Sequence, residues 1–170
     1  MDFSLTTFAN FVEKPRNKGF SFLTFADFIE KKIIDNHIDR KQIILRHDVD
    51  LKPQNSLETA IIENKLGIQG TYYFRMVPES FDVDIIKQIV DLGHEVGYHY
   101  ETMDTASEKL KVKSKKIKEK EIIIDTAYQE FCQNLEKFRK IYPVKTICMH
   151  GSPKSAFDNR DIWKKYDYRQ

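Results

Sequence analysis

Two aspartates, Asp48 and Asp50, end an apolar run with no turn residue between the run and the acids. Such a run is typical of a buried parallel strand. Because side chains on a strand alternate, Arg46, Asp48 and Asp50 are predicted to share one face, with His47 and Val49 on the other. Two buried carboxylates carry a large desolvation cost unless they share a cation or hydrogen-bond donors. The pattern therefore indicates a site.

Three further predicted strands also end in polar residues. Alternation places one set of these on a common face of each strand: Thr71, Tyr73 and Arg75; then Gly97, His99 and Glu101; then Thr146, Cys148 and His150. Sites in α/β barrels and open parallel sheets form at the carboxyl ends of strands, so these groups are expected to converge. Asp and His side chains suit a divalent metal such as zinc, which acidifies water while a nearby carboxylate acts as general base.

Each candidate also has a structural interpretation, which the sequence leaves open. Asp48 and Asp50 would cap the following helix through its unpaired amide groups. His99 would be a hydrogen-bonded core histidine. Arg46 and Arg75 would be ion-pair partners that hold the two aspartates ionised.

The elements that position these groups alternate between strand and helix. Strands are predicted over 42–49, 69–76, 95–100 and 144–150, and helices over 3–13, 24–34, 53–66, 82–92, 106–140 and 158–163. This order predicts an α/β fold with parallel pairing and right-handed crossovers. Residues 1–40 are interpreted as a helical preamble, in which Thr24 and Asp27 form a capping pair, and residues 41–170 as one (β/α) domain.

Composition excludes several classes of protein. The 170 residues carry 28 Lys and Arg against 26 Asp and Glu, a balance that argues against a nucleic-acid partner. The lysine-rich run from Lys109 to Lys120 is interpreted as a solvated helix face because no aromatic residue is interleaved. No apolar run approaches the roughly 20 residues of a membrane span. Two cysteines without CxxC spacing and a start without a secretory signal predict a cytoplasmic protein.

Three segments, in order His47-Asp48-Val49-Asp50, residues 67–74 and residues 93–99, resemble motifs of the polysaccharide deacetylase family, also called carbohydrate esterase family 4 or the NodB homology domain. The first resembles a base Asp followed closely by a metal-binding Asp. The second is similar to a Gly-x-x-Ala-Thr-Phe-Phe segment, and the third to Gly-His-Glu-Ile-Gly-x-His, whose last His binds the metal. The resemblance covers roughly residues 42–101, with a looser match through residues 150–153.

The resemblance implies a distorted (β/α) barrel of about seven strand–helix units. Four strands make about half of such a barrel, so the domain is expected to be incomplete at its C-terminal end. The implied activity is metal-dependent removal of an acyl group from an N-acylated sugar, either a carbohydrate or a sugar nucleotide. An incomplete barrel would expose a strand edge that a second copy of the chain covers.

The resemblance also implies residue roles. Asp48 would be the catalytic base, and Asp50 and His99 would bind a divalent metal, zinc by its ligand types. The family has a second ligand His where this sequence has Met103, so either Glu101 or His150 is expected to complete the ligand set.

The remaining roles depend on which residue completes that set. His150 would protonate the leaving amine if it is not a ligand. Arg46, Arg75 and Tyr73 are candidate substrate-binding residues. Two other functions stay open, namely an inactive relative that binds a glycan or assembles with a partner, and metal-dependent hydrolysis of a phosphoester.

Overall fold

A computed structural model of the chain describes residues 4–35, 40–111, 117–151 and 155–169. Strands and helices alternate along it, as the sequence predicts. The elements in chain order are α1 Leu5–Asn17, β1 Ser21–Leu23, α2 Phe25–Asp35, β2 Gln42–Ile44, β3 Arg46–Val49, α3 Pro53–Lys65, β4 Thr71–Phe74, α4 Val83–Asp91, β5 Glu95–Tyr100, α5 Thr102–Lys109, α6 Ile117–Arg139, β6 Ile147–Met149 and a 3₁₀ helix, Asn159–Lys164.

The strands confirm an α/β fold with parallel pairing. Strands β3 and β4 pair in parallel, as do β5 and β6, and the sheet order is β3-β4-β5-β6. The chain divides into two compact units, Met1–Gly97 and Tyr98–Gln170, here called the first and second units. No described helix has the length and apolar composition that a membrane span needs. The predicted lysine-rich face and the motif at 150–153 lie partly outside the described residues.

The prediction of one strand over residues 42–49 is wrong. This segment forms two strands, β2 and β3, separated at Leu45, because the two pair with different strands. Strand β2 pairs with β1, with Ser21 opposite Gln42, whereas β3 pairs with β4, with Arg46 opposite Thr71. The three-residue β1 was missed because its pattern is too short to read as a strand.

The start of α2 is fixed by a capping pair and a buried carboxylate. The Asp27 amide donates to Thr24 Oγ1 at 3.1 Å, and the Thr24 amide donates to Asp27 Oδ2 at 3.4 Å, which confirms the predicted pair. The amide of Ala26 donates to Glu95 Oε2 at 3.0 Å, and the Thr71 hydroxyl donates to the same oxygen at 2.8 Å. The buried carboxylate thus satisfies an unpaired amide at the helix N-terminus, where negative charge is favourable.

A second buried carboxylate, Glu63 on α3, joins that helix to β3 and β4. Its side chain is 0% exposed. The Tyr72 hydroxyl donates to Glu63 Oε2 at 2.8 Å, and His47 Nε2 lies 2.6 Å from Glu63 Oε1. The rings of His47 and Tyr72 stack with centroids 4.3 Å apart. A Cβ at Gly70 would lie 2.9 Å from Glu63 Oε2, so only glycine leaves room for this carboxylate.

His94, at the start of β5, is a core histidine with both ring nitrogens bonded. Its Nδ1 accepts from the Gly70 amide at 3.1 Å, so Nδ1 carries no proton, and Nε2–H donates to the Ala60 carbonyl at 3.0 Å. Burial lowers the pKa of His94 below its ordinary value, which keeps the ring neutral. His94 therefore has a structural role.

The second unit packs α5, α6 and the 3₁₀ helix around aromatic residues of β5. The predicted helix over 106–140 is instead α5 and α6, with Lys111 in the left-handed region at φ 53° after α5. Tyr98 stacks on Phe131, and Trp163 Nε1 donates to the Tyr100 hydroxyl at 2.6 Å. Burial raises the pKa of Tyr98 and Tyr100, so both hydroxyls stay protonated.

We expect Glu63→Ala to lower the free energy of unfolding by about 3 kcal/mol, because it leaves the Tyr72 hydroxyl and His47 without their buried acceptor. Urea denaturation measures the loss. The matched control is Glu58→Ala on the exposed side of the same helix, expected within about 0.5 kcal/mol of the parent protein. Equal losses in the two variants would contradict this account of Glu63.

We expect the unfolding free energy to fall as the pH drops below about 6.5, since the unfolded chain then protonates His94 and the folded chain does not. One such group contributes at most about 1.4 kcal/mol per pH unit. His94→Gln keeps an acceptor for Gly70 and a donor for Ala60 but cannot titrate, so its pH slope should be shallower. Denaturation series at several pH values measure both slopes, and identical slopes would exclude His94 as their source.

Candidate functional site

The end of β3 confirms the predicted alternation of faces. Arg46 and Asp48 lie together, with Arg46 Nε donating to Asp48 Oδ1 at 2.7 Å and Nη2 donating to Oδ2 at 2.5 Å. The guanidinium also lies 5.8 Å from the centroid of the Tyr73 ring on β4. His47 turns to the opposite face, where it meets Glu63. A two-bond contact of this kind fixes the direction of the Asp48 carboxylate.

The backbone around Asp50 is held by residues that follow β4. The Ser80 hydroxyl donates to the Val49 carbonyl and accepts from the Arg75 amide at 3.0 Å. Arg75 Nη1 donates to the Asp50 carbonyl at 3.2 Å. Ser80 is 0% exposed and was missed by the sequence analysis, because an isolated serine carries no pattern. The N-cap of α3 is Lys52, so neither aspartate occupies the capping position considered from the sequence.

In the second unit, a backbone carbonyl fixes the tautomer of His99. Its side chain lies on β5 and is 2% exposed. Nδ1 lies 3.1 Å from the carbonyl oxygen of Cys148 on β6. A carbonyl only accepts, so the proton is on Nδ1, and in the neutral ring the lone pair is on Nε2. Metal-binding histidines almost always donate their second ring nitrogen in this way.

His150 follows β6 and lies beside His99. The two ring centroids are 5.1 Å apart and the planes are almost perpendicular, at 81°. Glu101, the residue before α5, places Oε2 3.4 Å from His150 Nδ1. Met103, at the position of the resembled family's second histidine, is 0% exposed in the core. The second unit thus brings together His99, Glu101 and His150. Met103 is buried in its core.

Asn159 in the 3₁₀ helix fixes the backbone that carries His150. Its Nδ2 donates to the His150 carbonyl at 3.1 Å and to Asp104 Oδ2 at 2.9 Å, and its Oδ1 accepts from the Met103 amide at 2.9 Å. The residue is 2% exposed. The sequence analysis missed it, since its three partners come from two other segments and no local pattern marks them. Asn159 therefore ties the end of β6 to the start of α5.

Comparisons of this chain with models of protein families, with curated proteins and with solved structures found no match.

We expect Asn159→Ala to lower the free energy of unfolding by about 2–3 kcal/mol, because it removes one buried and two part-buried hydrogen bonds and leaves the Met103 amide without an acceptor. Thermal unfolding measures the loss. Asn134→Ala is the control, since Asn134 makes one part-buried bond to the Tyr98 hydroxyl, expected to contribute about 1 kcal/mol. Faster amide exchange at Met103 should accompany only the Asn159 change, and unaltered exchange there would contradict the assignment.

Proposed function

We propose that this chain is a metal-dependent hydrolase that removes the acyl group from an N-acylated sugar. In this proposal Asp50, His99 and His150 together hold a divalent cation. One carboxylate and two imidazoles form the kind of ligand set that zinc takes in catalytic sites with an open position. The proposal also includes the barrel of the resembled deacetylase family and a cytoplasmic substrate, either an N-acylated carbohydrate or a sugar nucleotide.

The observation that carries the proposal is the hydrogen bond from His99 Nδ1 to the Cys148 carbonyl. It fixes the ring and puts the lone pair on Nε2, a state that suits a ligand. His150 lies against His99, and the Glu101 carboxylate near its Nδ1 favours the orientation in which Nε2 is the ligand atom. We therefore assign the third ligand to His150 and an orienting role to Glu101.

Asp48 at the end of β3 and Asp50 just after it have different roles in this mechanism. Asp50 is a ligand, and Asp48, aligned by Arg46, accepts a proton from the attacking water as its oxygen adds to the acyl carbonyl carbon. The carbon–nitrogen bond then breaks, and Asp48 passes that proton to the leaving amine, so the products are a carboxylic acid and a free amine. A cation held by these residues would supply Lewis-acid polarisation of the carbonyl and would lower the pKa of water. Arg75 and Tyr73 are proposed to bind the sugar.

Metal content tests the ligand assignment. After incubation with zinc and gel filtration, elemental analysis should give about one zinc per wild-type chain and almost none in an Asp50→Ala, His99→Ala double variant. Asp91→Ala, on the exposed end of α4, and His94→Gln are matched controls that should keep the metal. Equal zinc in the double variant and the wild type would overturn the assignment.

Turnover tests the catalytic role of Asp48. Asp48→Asn should keep the zinc and reduce release of free amine from an N-acylated sugar by about 10²–10⁴-fold, the contribution of a general base. Cys148→Ser should keep both zinc and activity. Asp48, His99 and Cys148 also offer metal-ligand atoms, and loss of zinc in Cys148→Ser would shift the assignment to that set.

A second candidate function is a catalytically inactive relative that binds a glycan. The burial of Met103 at the position of the family's second ligand favours it, because the usual ligand pair of the family is then not built. The zinc measurement separates the two functions. An inactive relative would bind no zinc in either the wild type or the double variant, and would still bind an N-acylated sugar.

A further inference from the structure

Lys52, which comes shortly after Asp50 and directly before α3, has a strained backbone, with φ 54° and ψ 64° in the left-handed region. This region is unfavourable for residues other than glycine because Cβ comes too close to the following carbonyl oxygen. Four other described residues have a positive φ, and each directly follows the C-cap of a helix, where a left-handed residue is common: Gly19, Gly67, Gly93 and Lys111. Of these five, Lys52 is the one that precedes a helix.

Helix capping does not explain the conformation of Lys52. It is the N-cap of α3, a position at which the backbone is typically extended, and its side chain makes no capping hydrogen bond. Pro53 follows it, and a proline favours an extended backbone in the residue before it. The Lys52 side chain is exposed, so packing of that side chain does not explain the conformation either. Strain of this kind persists only where the surrounding structure holds it, and it is concentrated at functional sites.

Hydrogen bonds from the segment after β4 fix the chain before Lys52. The Ser80 hydroxyl donates to the Val49 carbonyl, and Arg75 Nη1 donates to the Asp50 carbonyl at 3.2 Å. These two carbonyls belong to the peptide groups on either side of the Asp50 Cα. The backbone that carries the Asp50 carboxylate is therefore held at both ends.

The chain after Lys52 is fixed by α3. The Asn55 amide donates to the Lys52 carbonyl at 3.0 Å. Glu63 holds this helix to β3, since its Oε1 lies 2.6 Å from His47 Nε2. Leu51 and Lys52 are thus the two residues that connect the held peptide groups at the end of the strand to a held helix. So short a connection restricts the backbone to the few conformations that reach from one to the other.

We infer that the left-handed backbone of Lys52 positions Asp50 as a metal ligand. The inference rests on the proposed function for that role of Asp50. An extended Lys52 would direct the chain away from α3, so Leu51 would have to rotate and draw the Asp50 carbonyl away from Arg75. The Asp50 side chain would turn with its backbone. Lys52 is therefore a positioning residue that acts through its backbone conformation, and its ammonium group has no part in this role.

The test separates backbone from side chain at position 52. Lys52→Gly, Lys52→Ala and Lys52→Val all remove the ammonium group, but glycine adopts the left-handed region freely, alanine less readily and β-branched valine least. Lys111→Val is the matched control, since Lys111 has a φ of 53° and follows α5. Calorimetric titration of the full chain with zinc gives the Kd, and thermal unfolding of the metal-free chain gives the Tm.

We expect Lys52→Gly to bind zinc within about twofold of the wild type and Lys52→Val to bind at least about tenfold more weakly, with Lys52→Ala between them. Lys111→Val should lower the Tm by about as much as Lys52→Val and keep the zinc affinity of the wild type. Glycine should also give a higher Tm than alanine at position 52, because only glycine is free of strain there. The glycine and alanine variants provide the same test if Lys52→Val does not fold.

Three outcomes would overturn the inference while the wild type still binds zinc. These are equal weakening in all three Lys52 variants, unchanged affinity in Lys52→Val, and a loss of affinity in Lys111→Val as large as that in Lys52→Val. A wild-type chain that binds no zinc would overturn the proposed function and this inference with it. If zinc binding follows the expected order but no variant or wild type releases amine from an N-acylated sugar, the positioning role stands and the hydrolase proposal fails.

Discussion

The buried carboxylate of Glu63 is the constraint on which the first unit depends. A carboxylate with no exposure to water is stable only where donors surround it, and here Tyr72 and His47 supply the contacts. These residues come from three consecutive elements, β3, α3 and β4. Because His47 is held against α3, its neighbours Arg46 and Asp48 must face the opposite side of the strand. The orientation of the candidate base therefore depends on a contact on the far face of the sheet.

This contact also explains departures from the motif that the sequence resembles. Gly70 lies where the resembled segment has alanine, and an alanine Cβ would come within 2.9 Å of Glu63 Oε2. Tyr72 lies where that segment has phenylalanine, and its hydroxyl is the donor that the carboxylate requires. The two differences are thus coupled through one buried group. Reversing either one alone would leave a clash or an unsatisfied acceptor.

The sequence predicted those elements whose pattern is local. The bounds predicted for β5 match the structure because a six-residue run buried throughout has distinct neighbours on both sides, with Gly93 at φ 88° ending the helix before it. The alternation at Arg46, His47 and Asp48 was also predictable, since it follows from strand geometry alone. The division of 42–49 at Leu45 was not, because it depends on pairing with β1 and β4, which are distant in the sequence: Ser21 lies opposite Gln42, and Arg46 lies opposite Thr71.

The same distinction applies to the candidate site. His99 and His150 are visible in the sequence as imidazoles at strand ends, and the structure places them side by side. Ser80 and Asn159, which hold the backbone around Asp50 and His150, are not visible. Each is a common polar residue in a loop or a short helix, and its role comes entirely from carbonyl and amide groups of distant segments. Residues that position a candidate site are harder to predict than its reactive side chains. They bind backbone groups, and every residue type has the same backbone groups, so the sequence does not mark them.

His94 and His99, five residues apart in the sequence, differ in the hydrogen bonds that their ring nitrogens make. His94 accepts at Nδ1 and donates at Nε2, so the surrounding backbone uses both nitrogens and the ring has no remaining capacity. His99 has the opposite tautomer, in which the Cys148 carbonyl takes the Nδ1 proton and the lone pair is left on Nε2. Burial is similar, at 3% and 2% exposed, and therefore does not distinguish them. What distinguishes them is the partner of Nδ1, an amide donor for His94 and a carbonyl acceptor for His99, and of the two rings only His99 has the tautomer that fits the proposed ligand role.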